Sequence, residues 1–294
     1  MILLNTRTRL AAAAISLLAL AACGGGPVND AAPRPNSVPP EVAARYQAMP
    51  DGEYTIPAVD TGYLNDATVR KEVAYNGPDS PGTIVVDPYA RVLYHVEEGG
   101  RATRYGIAVG REGKGFSGAA VINRKAEWPR WTPTANMVRS EPEVYGPVAG
   151  GLPGGLENPL GARALYLYRG GRDTYYRIHG TNNASTIGRA TSAGCIRLYN
   201  QDIVDLFAAT ELGSPVKVRT PDESMALEGE MVEGPDGLMI PMASLSPEVQ
   251  NQIRMGQTPW PAFFAGSSIS PTNSIGSEAA LQAHSINDQA PLTN

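Results

Sequence analysis

Cysteine, histidine and aromatic residues are scarce in this chain, and each scarcity removes a class of explanation. Of 294 residues only two are cysteines, Cys23 and Cys195, and three are histidines, His95, His179 and His284. Two thiols cannot build a disulfide framework. The histidines lie far apart with no carboxylate pattern beside them, so neither a zinc site nor any cofactor is expected. Positive charge is not in excess. The 24 Lys and Arg against 29 Asp and Glu give a net charge of −5 and a pI near 5.3, with no basic cluster, which argues against nucleic acid as a partner. The apolar run Leu10–Ala22 is 13 residues, about 20 Å of helix against a bilayer core of about 30 Å, so a permanent transmembrane helix is disfavoured. Gly113-Lys114-Gly115 lacks the spacing and the Ser or Thr of a phosphate loop and reads as a hairpin loop.

What is present begins with an address. Arg7 and Arg9 precede the apolar run, and Leu20-Ala21-Ala22-Cys23 closes it. That order is a signal peptide over residues 1–22. The tetrapeptide resembles the lipobox of bacterial lipoproteins, which implies lipidation of Cys23 and periplasmic placement on a membrane. Gly24, rather than Asp, follows the cysteine, and this resemblance implies sorting to the outer membrane. If Cys23 carries lipid, Cys195 is a lone thiol in an oxidising compartment. Catalysis would explain it, and so would burial as a small apolar residue.

From residue 23 to 80 the chain is rich in Pro, Ala, Asn and Asp and reads as a flexible tether, with a short helix around Pro40–Ala48. From Pro81 short apolar runs alternate with turns. Strands are expected over Thr83–Val86, Arg91–Val96, Thr103–Val109 and Ala119–Ile122, with turns at Asp87-Pro88 and Glu98-Gly99-Gly100. The glycine- and proline-rich stretch Pro147–Gly161 reads as a mobile loop bordering the site. A hairpin follows, Ala164–Tyr168 with Thr174–Ile178 across Gly170-Gly171-Arg172-Asp173. Asn200 is the expected N-cap of a helix carrying Ile203, Val204, Leu206 and Phe207 and ending at Gly213, and Ser214–Arg219 is a last strand. Residues 220–294 read as a mostly disordered tail, with one amphipathic stretch at Leu245–Ile253.

The segment that carries chemistry runs Ile178-His179-Gly180-Thr181, then Thr191-Ser192-Ala193-Gly194-Cys195-Ile196-Arg197-Leu198, with Asp202 beyond. A thiol attacks as thiolate and needs a base. His179 ends an apolar strand and Cys195 opens another, 16 positions on (195 − 179). Adjacent strand ends would bring imidazole and sulfur together. Gly194 leaves room for a tight turn whose amides face an oxyanion, and the Gly180 carbonyl is placed to orient the imidazole.

His-Gly-Thr followed by Ser-x-Gly-Cys-Ile-Arg-Leu resembles the catalytic domain of the L,D-transpeptidases, and Trp128–Asn136, with its Trp-Thr-Pro-Thr core, resembles the segment before that family's site. The likeness covers residues 81–219. It implies a β-rich α+β fold, mixed sheets packed as a sandwich with one or two helices, acting on peptidoglycan stem peptides. It implies Cys195 as nucleophile, His179 as base and acid, Gly180 as the carbonyl orienting His179, and Gly194 in the oxyanion hole. Arg197, Ser192 and Thr181 are the implied substrate contacts. An ion pair with Asp202 is an equal alternative for Arg197. Many members have His where this chain has Ala193, leaving His179 as the base. Hydrolysis on the same scaffold, or wall binding without turnover, are the competing readings.

Overall fold

The computed structural model describes residues 38–110, 117–192 and 194–257. The leader, Cys23, Ala193 and everything beyond 257 lie outside them. A short helix α1 (Pro40–Ala43) leads to a hairpin of β1 (Met49–Asp51) and β2 (Tyr54–Ile56). Next come β3 (Lys71–Ala74), β4 (Ile84–Asp87), β5 (Val92–Glu97), β6 (Arg101–Gly106), β7 (Val109–Gly110) and β8 (Gly118–Glu127). Helices α2 (Ala135–Ser140) and α3 (Pro142–Tyr145) precede β9 (Arg163–Arg169), β10 (Arg172–His179), β11 (Ala190–Ser192) and β12 (Ile196–Arg197). The described residues close with α4 (Asn200–Ala209), β13 (Pro215–Val218), α5 (Pro221–Glu228), β14 (Met231–Glu233), β15 (Met239–Pro241) and α6 (Pro247–Arg254).

Nine strands form one sheet in the order β12-β10-β9-β8-β13-β4-β5-β6-β3. The pairs β12 with β10 and β13 with β4 are parallel and the others antiparallel, so the sheet is mixed as expected. The turn between β9 and β10 is Gly170-Gly171, both with positive φ (+57° and +76°), the geometry that fits a two-residue hairpin to the twist of its strands. The edge strand β12 is bridged to the segment that follows β6. Ala108, just past β6, exchanges both backbone hydrogen bonds with Arg197 in β12, at 2.9 and 3.0 Å. Ile84, Leu93, Ile107, Leu165, Ile178 and Ile196 therefore share one core, closed by Ile203 and Leu206 of α4. Burying each such side chain contributes about 1.5–3 kcal/mol. Strand β4 is buried along its whole length because a second cluster, Tyr75, Val85, Val92 and Tyr94, lies on its other face.

Three expectations are corrected here. The tether assigned to residues 23–80 is, from Val38, part of the folded unit. Tyr46 and Leu64 are buried against Tyr199 and Ile187, and β3 is the edge strand of the main sheet. Its apolar residues are sparse in sequence, yet Tyr46, Val59, Leu64 and Val69 cluster with Ala108, Ile187 and Tyr199, which lie well beyond it in the chain. The tail assigned to 220–294 is likewise folded to residue 257. Thr220 and Glu223 form a reciprocal cap on α5, Arg219 bonds Asp87 and Glu228, and Leu238, Met242 and Leu245 are buried. Helix α6 falls on the expected amphipathic stretch. Asn200 is the first residue of α4 and not its N-cap, which is Tyr199. Its side chain has other work.

Candidate active site

Parallel pairing of β10 with β12 aligns Ile178 with Ile196 and His179 with Arg197. Paired residues on neighbouring strands face the same side. His179, Arg197 and, two residues back in β10, Arg177 thus share the face opposite the Ile178 core, and Cys195, immediately before β12, is close enough for its sulfur to be influenced by the Arg177 backbone N–H. With strands about 4.8 Å apart, a two-residue offset separates Cα atoms by about 8 Å, which an imidazole and a thiol span together.

His179 is only 4% exposed. Its Nδ1 lies 2.6 Å from the Gly180 carbonyl oxygen, a bond that requires the proton on Nδ1 and leaves the Nε2 lone pair open. Burial, then the Arg197 charge, holds its pKa down to about 3, against the pull of the Gly180 and Leu160 carbonyls. The ring is neutral at neutral pH. Cys195 is partly exposed. Burial of its sulfur pushes the thiol pKa up, opposed by the backbone N–H of Arg177 and by the charges of Arg197 and Arg177. The resting pair is a neutral thiol and a neutral imidazole. Gly194 has φ +124°, a conformation that side chains rarely adopt, and it turns the chain immediately before the nucleophile candidate.

The remaining site candidates divide. Arg197 sits in the cluster, but its alternative partner does not. Asp202 is fully buried, accepts from the Tyr46 hydroxyl at 3.2 Å and lies 3.9 Å from Arg70, so the Asp202 ion pair belongs to the N-terminal segment. The Thr181 side chain is 95% hidden, and its hydroxyl accepts from the Asn183 N–H at 3.0 Å, which commits it to the loop. Ser192 ends β11, paired with Gly110 of β7. Among the described residues, no three His, Cys, Asp or Glu side chains are grouped to hold a metal ion.

Two residues that hold the site escaped the sequence reading. Asn200 Oδ1 accepts from the amides of Ala162 (3.0 Å) and Thr181 (3.2 Å), and its Nδ2 donates to the Thr181 carbonyl (2.9 Å). It fits because two side chains are missing. A Cβ on Gly161 or Gly180 would come within 2.2 or 2.1 Å of that oxygen. Asn158, 1% exposed, ties the segment Pro147–Gly161 down by donating to the carbonyls of Pro129 (3.0 Å) and Pro153 (2.8 Å) and accepting from Leu160 N–H (2.9 Å). The stretch expected to be mobile is pinned there. The signals were present, an Asn beside Gly-rich turns, but their partners are 38 and 29 positions away.

Against this geometry, the chain matches the model of the YkuD L,D-transpeptidase catalytic domain over residues 81–218. It is 32% identical over 211 residues to a probable L,D-transpeptidase, YbiS, of Escherichia coli K12, covering 67% of each chain. The chain belongs to the L,D-transpeptidase family. A second member, the probable L,D-transpeptidase ErfK/SrfK of Salmonella typhimurium, is 31% identical over 66% of this chain and 63% of its own. Among solved structures, an L,D-transpeptidase from Xylanimonas cellulosilytica aligns over 49% of this chain and 63% of its own at 18% identity, with a TM-score of 0.34. A Brucella melitensis chain described as a probable carnitine operon oxidoreductase is 50% identical over 49% of this chain and 89% of its own, with a TM-score of 0.36. At those scores the structural likenesses carry no argument about activity. The family match leaves out β1 to β3 and the described residues after β13, yet Tyr46, Val59, Leu64 and Val69 cluster with Ala108, Ile187 and Tyr199, and Val73 and Met231 pack against the cluster around Val85.

Proposed function

We propose that this L,D-transpeptidase family member acts on peptidoglycan stem peptides through a thioester on Cys195. The observation that supports the reading is the parallel register of β10 with β12, the strand that Cys195 immediately precedes, together with a neutral imidazole whose Nδ1 proton is fixed by Gly180. His179 Nε2 takes the thiol proton as sulfur attacks the carbonyl preceding the terminal D-Ala of the donor. The amides of Gly194 and Cys195 receive the oxyanion. The C–N bond breaks, the D-Ala amine leaves with the proton from His179, and the acyl group stays on sulfur. An acceptor amine then attacks the thioester, gives its proton to His179 and releases the thiol. Burial disfavours both charged forms, and the Arg197 and Arg177 charges, although they favour the thiolate, disfavour the imidazolium, so proton transfer accompanies attack rather than preceding it.

The leader reading belongs to this proposal. Residues 1–22 direct export, Cys23 carries lipid, and the enzyme works in the periplasm, anchored to the outer membrane. No helix among the described residues is long and apolar enough to cross a membrane.

Residues 24–294 incubated with disaccharide tetrapeptides, beside Cys195→Ala, test the chemistry by mass spectrometry. Loss of D-Ala with dimer formation supports transfer. D-Ala loss without dimers replaces transfer with hydrolysis, and equal behaviour of wild type and Cys195→Ala refutes the thioester.

A further inference from the structure

The face that carries His179 continues across the sheet as a row of cations. In register, Arg177 of β10 stands opposite Tyr166 of β9, and Tyr166 opposite Arg124 of β8. Arg177 and His179 are two positions apart in β10, so the row and the imidazole point the same way. The Arg124 guanidinium carbon lies 4.3 Å from the Tyr166 ring centroid and that of Arg177 4.2 Å. The tyrosine, 5% exposed, is covered by two stacked cations. One carboxylate answers them. Asp173 takes Arg177 in a bidentate pair at 2.7 and 2.8 Å, and Arg124 has no carboxylate partner among the described residues. In a chain of net charge −5, this leaves the Arg124 charge uncompensated on the face that carries His179.

A guanidinium lying flat on an aromatic ring is held at low entropic cost with its N–H edge outward, the geometry that grips a carboxylate. Arg177 sits on the strand next to Cys195. Arg124, folded over Tyr166, reaches a point about two strand spacings, or about 10 Å, from the thiol line. That distance is about three residues of extended peptide. Packing alone would need only to cover Tyr166, which an uncharged side chain of similar length does as well.

We infer that Arg124, stacked on Tyr166 and flanked by the Asp173-paired Arg177, forms a subsite that reads a free carboxylate on the acyl donor and discriminates against donors in which that carboxylate is amidated. The inference rests on the thioester chemistry proposed above.

The test compares two tetrapeptide donors, one with its side carboxylates free and one with them amidated, by D-Ala release. In wild type the free-carboxylate donor has the higher kcat/KM, and raised salt narrows the gap. Arg124→Gln lowers the free-to-amidated ratio about tenfold, mainly through KM, the discrimination expected of one charge-assisted pair. Arg124→Lys keeps part of the preference, and Arg177→Gln lowers it while also slowing turnover. Equal losses on both donors, or an unchanged ratio, overturn the subsite while leaving the thioester reading standing. A wild type that releases D-Ala from neither donor overturns both. If Arg124→Gln fails to melt cooperatively, the salt dependence of the wild-type ratio and the lysine variant decide.

Discussion

Asn200→Ala is the perturbation with the most consequences for the least change. The carboxamide holds the two glycine turns around the base through three hydrogen bonds, from Ala162 N–H, from Thr181 N–H and to the Thr181 carbonyl. At about 1 kcal/mol net for each bond, the loss is about 3 kcal/mol, more if water cannot reach the vacated groups. For a folded unit of this size that lowers Tm by about 6–12 °C. The effect on chemistry is separate. Thr181 follows Gly180, whose carbonyl sets the His179 tautomer, so a loosened Thr181 lets that carbonyl drift. A displacement of about 1 Å at a catalytic group costs about a hundredfold in rate, read as kcat for D-Ala release well below the melting transition. Asn200→Asp separates the bonds, because it keeps both acceptor contacts and loses the donor. Circular dichroism melts and the release assay on both variants measure the two effects. An alanine variant that melts within about 2 °C of wild type and turns over normally would refute the clamp.

Three further outcomes follow from burial and charge. Because burial raises the Cys195 thiol above its usual 9.0, alkylation by iodoacetamide accelerates with pH through neutrality, and a plateau near neutral pH would reveal a preformed thiolate instead. Two buried groups pull stability in opposite directions with pH. His179, held to about 3 against 6.5 unfolded, contributes stability that is lost as pH falls below 6.5, and His95, lowered by burial, adds to that arm. Asp202, raised by burial from 3.8 to about 7, contributes stability that is lost as pH rises between those values. Each is worth at most about 4–5 kcal/mol, so they nearly cancel in wild type. Asp202→Asn should then show Tm rising from about pH 4 to 6.5 and His179→Gln a falling one, and parallel profiles would contradict the assignment. Finally, a chain limited to residues 81–219 strips Tyr46, Val59, Leu64 and Val69 from Ala108, Ile187 and Tyr199. It should lack the cooperative melt that residues 38–257 show, and equal melts would return the N-terminal segment to the status of a tether.

The geometry of the candidate site was legible because it is local. A thiol followed by Ile-Arg-Leu and preceded by Gly194, with His-Gly 16 positions earlier (195 − 179), specifies strand ends, a tight turn and a ring whose own next carbonyl is within reach. Gly170-Gly171 announced its hairpin for the same reason, since the required φ values are a property of the residues in the turn. Residues 38–80 and 220–257 were misread because their stabilisation is not local. Tyr46 carries little signal beside prolines and alanines, and it is buried only because Asp202, 156 positions on, and Tyr199 arrive beside it. Glu228 and Glu233 looked like a solvated acidic tail, and each is taken by an arginine that the tail's own sequence does not contain, Arg219 and Arg91.

By itself, then, the order of residues determined the family motif, the β-rich architecture and the turns, all of which depend on neighbours within a few bonds. Only the tertiary structure decided the rest: that β12 is bridged to Ala108, that Asn200 fills the space of two absent side chains, and that Asp202 pairs with Arg70 rather than Arg197. Such contacts depend on which distant strands become adjacent, a choice made by the whole apolar core at once and written in no single segment.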